Sequence, residues 1–137
     1  MFSTSIFTSR TSINGTIRNP QFSGAQPNDV GYGNGIFIAV GTSGKISTSA
    51  DGETWVARSH PVGPVTFNSV IYADSVWVAC GDNGTIITSS DNGVNWTQRT
   101  SMFGTSGVNA LAYSSSLDLF LAVGNGDKIA TSPDAIT

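Results

Sequence analysis

The chain has 137 residues, of which 39 % are hydrophobic and only 11 % charged, where about 25 % charged is ordinary for a globular domain. With 16 Gly, a single Glu (Glu53) and two Lys (Lys45, Lys128), the composition excludes a coiled coil, a charged helical bundle and a disordered charged tail. A net charge of −3 with six Lys and Arg excludes the basic footprint of sequence-independent nucleic-acid binding.

In chain order, residues 1–27 match no complete copy of the repeat that begins at residue 28. Ile6 to Thr16 echoes Ile46 to Thr54 and reads as a decayed strand and turn, or as an arm that docks on a partner or swaps a strand. Pro20 and Pro27, amid Gln, Asn and Gly, read as a linker. Met1 to Arg10 has no apolar run of signal-peptide length, and no segment reaches the ~20 apolar residues of a membrane helix.

From residue 28 the chain repeats three times, over 28–66, 67–107 and 108–137. Tyr32, Tyr72 and Tyr113 lie 40 and 41 residues apart, and Gly41, Gly81 and Gly124 lie 40 and 43 apart. A period of ~40 to 45 with several short strands per unit is the sequence signature of a β-propeller blade. Strand a runs from an Asn to the Tyr, as in Asn68–Tyr72. Strand b is apolar throughout (Ile36–Val40, Val76–Cys80, Leu119–Val123), as expected of burial on both faces. Gly-rich hairpins follow at Gly41–Gly44, Gly81–Gly84 and Gly124–Gly126, and are read as supplying positive φ. Strand c alternates, and a polar outer strand d opens with Trp55 or Trp96. Cys80, the only cysteine, occupies a strand b position held elsewhere by Val40 and Val123 and reads as a small buried hydrophobe.

The turn before strand d is the most specific feature. Ser89, Asp91, Gly93 and Trp96 fit Ser-x-Asp-x-Gly-x-x-Trp; Ser49, Asp51 and Trp55 form the same turn one residue shorter; Ser132 and Asp134 begin it a third time. The Asp accepts backbone amides further along, the Gly adopts positive φ, and the Trp pins the turn to its own blade. These residues resemble the Asp-box, or BNR repeat, over roughly residues 28–137. That resemblance implies a structural role for the box residues. The run Gly33–Gly41 is most similar to Asp-box repeat proteins of virus and phage particles.

The same resemblance raises a sialidase-like glycoside hydrolase fragment. Such a site needs an arginine cluster, a Tyr–Glu pair and an acid Asp. Arg58 and Arg99 fall on strand d, however, and the only Glu lies in a turn. No pair of acids has a suggestive spacing for glycoside hydrolysis, so no catalytic residue is assigned. His60 is the only His, and no zinc or phosphate motif occurs, so no metal or cofactor is assigned. Glycan binding is the remaining candidate: Asn28, Asn68 and Asn109 begin strand a and should gather at one mouth of the ring, beside His60, Phe67 and Phe103 from the d-to-a connections.

The expected protein is therefore all-β: about three four-stranded blades, the third without its outer strand. At ~40 residues per blade the chain holds too few for the four to eight of a closed ring, so closure is expected through oligomerisation or further chain. The expected role is a non-enzymatic structural or recognition module of a virion (capsid decoration, fibre or tail). Its partners would be other copies, other particle proteins or a surface glycan, with neither nucleic acid nor membrane insertion. The location is virion or extracellular. The alternatives are the hydrolase fragment and a non-viral lectin or assembly factor.

Overall fold

Short turns of left-handed backbone fold each unit back on itself. Asn34 and Gly35 (φ 48 and 77°) join β1 (Pro27–Gly33) to β2 (Ile36–Gly41). Asp74 and Ser75 (φ 46 and 62°) join β5 (Phe67–Ala73) to β6 (Val76–Gly81). Two consecutive positive φ values match the natural twist of a hairpin. The computed structural model describes residues 15–137. It adds β3 (Ile46–Ser49), β4 (Val56–Arg58), β7 (Ile86–Ser89), β8 (Thr97–Arg99), β9 (Val108–Ser114), β10 (Leu119–Gly124) and β11 (Lys128–Ser132). Helix is confined, among the described residues, to one 3-10 turn at Thr42–Gly44.

The strands form three antiparallel sheets, ordered β1-β2-β3-β4, β5-β6-β7-β8 and β9-β10-β11. Each sheet is a meander, and the strand a positions β1, β5 and β9 pack side by side as the innermost strands. The third sheet has no strand d among the described residues.

The sheets stack face to face. Nine buried residues, among them Ile38, Ile46, Phe67, Trp77, Ile87 and Trp96, join the first sheet to the second. Only four (Cys80, Phe103, Val108, Ala122) form the cluster between the second and third. At about 1.5–3 kcal/mol per fully buried large side chain, the first interface is the stronger. Gly31 and Gly33 on β1 make it tight: a Cβ on Gly31 would lie 2.9 Å from the Trp77 ring, and one on Gly33 2.3 Å from Tyr72. Cys80 is fully buried, and burial pushes its thiol up to about 12.

The hairpin glycines differ in part from the sequence reading. Positive φ falls on Ser43 and Gly44, Asn83 and Gly84, and Gly126 and Asp127. Gly41 is extended (φ −168°), and Gly41, Gly81 and Gly124 serve another need. A Cβ there would lie 2.0 Å from Gln26 O, 2.1 Å from Thr66 O and 2.5 Å from Gly107 O respectively. The chain entering strand a crosses directly over these three positions. It is held there by amide bonds from Thr42 to Gln26 O, Asp82 to Thr66 O and Asn125 to Gly107 O, each 2.9 Å.

Residues 20–27 also depart from the linker reading. Phe22 is buried, and its carbonyl accepts from Ala25 N at 3.0 Å, as the Phe103 carbonyl accepts from Ser106 N at 3.1 Å. Phe22 packs at Gly41 and Phe103 at Gly124. Phe22 to Asn28 is thus the same connection as Phe103 to Asn109, 81 residues earlier. The echo of Ile6–Thr16, and most of the arm or strand-swap role expected for 1–27, lie outside the described residues.

Candidate functional site

The three Ser-x-Asp turns are built alike. Ser49 Oγ donates to Asp51 Oδ1 at 3.0 Å, and that oxygen accepts the amides of Glu53 and Thr54 at 2.8 and 2.7 Å. In the second turn Ser89 Oγ donates to Asp91 Oδ1 at 2.8 Å, and the Asn95 amide and side chain donate to the same carboxylate at 2.8 and 2.7 Å. In the third, Ser132 Oγ and the amides of Ile136 and Thr137 converge on Asp134 Oδ1 at 2.9–3.1 Å. Gly93, at φ 76°, gives its amide to Ser89 Oγ at 2.9 Å. The amides of Thr54 and Glu53, then the Ser49 hydroxyl, hold Asp51 down at about 2; the amides of Thr137 and Ile136 do the same for Asp134. The Asn95 amide and side chain likewise lower Asp91. Trp55 Nε1 donates to Gly52 O at 3.2 Å and Trp96 Nε1 to Gly93 O at 3.0 Å, closing each turn with an indole. Each carboxylate is engaged by its own turn, Asp51 and Asp134 through Oδ1 and Asp91 through both oxygens, so these are turn-forming groups.

The strand a asparagines have a role that spacing alone does not show. Each is an extra residue in its ladder: pairing jumps from Pro27 to Asp29, from Phe67 to Ser69, and from Val108 to Ala110. A bulge re-aims its side chain, and here it turns toward the next sheet. Asn28 Nδ2 donates to Phe67 O and Asn68 Nδ2 to Val108 O, both at 2.9 Å. Asn109, with no fourth sheet described, donates to Asn125 Oδ1 at 2.9 Å. Asp29 adds a second tie, accepting Val70 N at 2.9 Å; the repeat pattern does not single it out, because its counterparts are Ser69 and Ala110.

The d-to-a connections bring His60 and Phe67 together but not as a sugar platform. Phe67 and Phe103 are 0 % and 1 % exposed, so neither ring presents a face to solvent. His60 meets Phe67 edge-on at 5.2 Å and 87°, and its Nε2 lies 2.6 Å from Gly44 O. Since a carbonyl only accepts, Nε2 carries the proton. Ser101 Oγ makes the same bond to Gly84 O at 2.6 Å in the second unit. His60 therefore anchors its loop to the b–c hairpin, while Met102 is left exposed beside Phe103.

Arg58 and Arg99 lie on β4 and β8, where their Nε atoms donate to Thr48 and Thr88 Oγ1 at 2.9 and 2.8 Å. Glu53 is exposed and pairs with Arg18 at 2.8 Å. No described His, Cys, Asp or Glu residues gather in a group of three that could hold a metal ion. No described helix is long and apolar enough to cross a membrane.

Among solved structures, the chain is similar to one described as YCF48 bound to D1 peptide: TM-score 0.68, 20 % identity, covering 90 % of this chain and 44 % of that one. These sheets are blades of a β-propeller. The chain spans less than half the length of that neighbour, so it presents a partial, open propeller. A computationally designed protein, Ika4, aligns at TM-score 0.46 with 9 % identity, covering 88 % of this chain and 98 % of that one. No protein-family model matches the chain, and no curated protein matches it.

Proposed function

We propose that this propeller is a non-enzymatic recognition and scaffolding module of a larger assembly, and that the assembly is a virus particle. The observation carrying the first half is that blade 3 presents an uncovered copy of a face that is buried inside the stack. Val40 and Ile46 of blade 1 are 0 % and 1 % exposed beneath blade 2, whereas their counterparts Val123 and Ile129 are 39 % and 71 % exposed. Asn109 likewise lacks the cross-blade carbonyl that Asn28 and Asn68 hold. A contiguous apolar face of this kind calls for a surface to cover it, whether from another protein, another copy or further chain. The neighbour's description as bound to a peptide supports protein partners.

The Ser-x-Asp turn geometry supports reading the three turns as Asp-boxes, and the viral half rests on the likeness of Gly33–Gly41 to particle repeat proteins. Partners are then other copies or other particle proteins. A surface glycan is the second class, bound near the exposed Asn28 and Asn109 rather than on the buried rings.

Light scattering of the chain tests the assembly. Multiples of 14.2 kDa are expected, and a strict, soluble monomer would overturn closure by its own copies. Detection of the chain in purified particles is expected from the viral half, and absence there overturns it. Binding on a glycan array separates the glycan class from protein partners alone. Release of chromophore from a sialoside would overturn the non-enzymatic reading.

A further inference from the structure

Blade 2 has room and polar side chains at a place that its copy in blade 1 gives to a histidine ring. In blade 1 the b–c hairpin is covered by that blade's own d-to-a connection. The His60 ring and the Gly63 carbonyl lie against Gly44, and His60 Nε2 donates to Gly44 O at 2.6 Å. In blade 2 Ser101 stands in the place of His60 and makes the same bond, from Oγ to Gly84 O at 2.6 Å. The side chain there is far smaller, and a cleft of about 380 Å³ lies over the hairpin. Every residue lining it, from Asn83 to Gly104, belongs to blade 2. The groups packed on Gly44 are likewise blade 1's own, although blade 2 is stacked beside it. The cleft is therefore a property of its own unit and not of what adjoins that unit.

The lining is polar and carries one charge. Asn83 on the b–c hairpin, Gln98 and Arg99 on β8, and Thr100 and Ser101 just beyond it line the cleft. Blade 1 has Ser43 and Ala57 where blade 2 has Asn83 and Gln98, so two carboxamides are added where space is added. Each carboxamide offers an acceptor and two N–H donors, and each hydroxyl both donates and accepts. That set complements neighbouring hydroxyls on a sugar ring. Arg99 is anchored through Nε to Thr88 Oγ1 at 2.8 Å, and among the described residues no carboxylate pairs with it. No acidic side chain lines the cleft. One guanidinium in such a setting matches one carboxylate.

We propose that this cleft is a binding site for a sugar residue carrying one carboxylate, of the uronic acid class. Arg99 holds the carboxylate, and Asn83, Gln98 and Thr100 hold the ring hydroxyls. The volume lies in the range of small-ligand sites, in which a few placed polar groups fix orientation. The lining has no apolar side chain to seat the methyl of an N-acetyl group, which favours a uronic acid over a sialic acid. Neither Asn28 nor Asn109 lines the cleft, so the site is separate from the channel mouth. It goes beyond the interaction-module reading and does not rest on it.

The test titrates the isotope-labelled intact chain with methyl glucuronide and follows its backbone amides by NMR. Saturable shifts are expected at Asn83, Gly84, Gln98 to Ser101 and Gly104, with a Kd on the order of 1–10 mM. Methyl glucoside, with a hydroxymethyl group in place of the carboxylate, should bind about tenfold more weakly, because a bond to a charged group contributes more than a neutral one. Asn83→Ser and Gln98→Ala, which install the blade 1 residues, should each weaken the glucuronide by about threefold. Ser101→His should fill the cleft and abolish binding. Blade 1 carries that ring on the same hairpin bond, so this variant should melt as the parent does. No saturation at about 50 mM glucuronide, equal binding of glucuronide and glucoside, equal binding of acetate, or shifts that survive Ser101→His each overturn the proposal, and the first three need no variant. A monomer that binds glucuronide refutes self-assembly but keeps this site, whereas an oligomer indifferent to glucuronide refutes the site alone.

Discussion

Replacing Trp96 with alanine separates two roles that the motif alone runs together. Trp55 and Trp96 make the same indole bond to the turn, at 3.2 and 3.0 Å. They differ in what covers the ring: Trp96 is buried against blade 1, whereas Trp55, with no blade described before it, is half-buried. The shared bond contributes about 1 kcal/mol in each case. Removing a fully buried Trp costs about 3–5 kcal/mol in total, and a half-covered ring should cost about half that. Trp96→Ala is thus expected to destabilise by about 4 kcal/mol and Trp55→Ala by about 2. With a urea slope near 2 kcal/mol/M, the midpoints fall by about 2 M and 1 M, read by far-UV circular dichroism. Equal shifts would refute the reasoning, because the ring would then serve its own turn and nothing between blades.

The bulge asparagines should behave unequally. Asn68→Ala leaves the Val108 carbonyl only the weak Cys80 Sγ–H donor at 3.6 Å and should cost about 1 kcal/mol, while Asn109→Ala, whose partner Asn125 is exposed, should cost under about 0.5; urea melts of the two variants check this. Gly81→Ala drives a Cβ to within 2.1 Å of Thr66 O and should cost at least about 2 kcal/mol, whereas Gly63→Ala, with open space around it, should be neutral or slightly stabilising in the same melts. Asp51 titrates at about 2 against 3.8 when free, so its contribution is present above pH 4 and disappears as pH falls through 2. The melting temperature should drop across that window, and Asp51→Asn should flatten part of the drop.

The three strand sets are legible because each blade repeats a pattern every 40 residues or so: apolar strand b, a Gly-rich hairpin and Ser-x-Asp, followed in the first two by Trp. What escapes the sequence depends on contacts between segments. Gly41 looks like a turn glycine until the carbonyl of Gln26 is seen crossing it. Asn68 looks like a strand cap or a ligand group until the bulge aims it at Val108. Phe67 and Phe103 look available in loops, and only the stacking of blades buries them. Phe22 does carry a signal, its 81-residue distance from Phe103, but the intervening unit has Val62 at that place, which hides the connection.

The asparagine ties have one further consequence. Asn28 to Phe67 and Asn68 to Val108 span 39 and 40 residues, so each of these ties reaches only the adjacent unit. Such a stack behaves as a short linear chain of coupled elements, in which forming one element favours only its immediate neighbours. Amide hydrogens should then exchange most slowly in β5, β6 and β7, which have a neighbour on both sides, and fastest in β11. The molecule would open from its ends inward, leaving the middle unit as the last to let go.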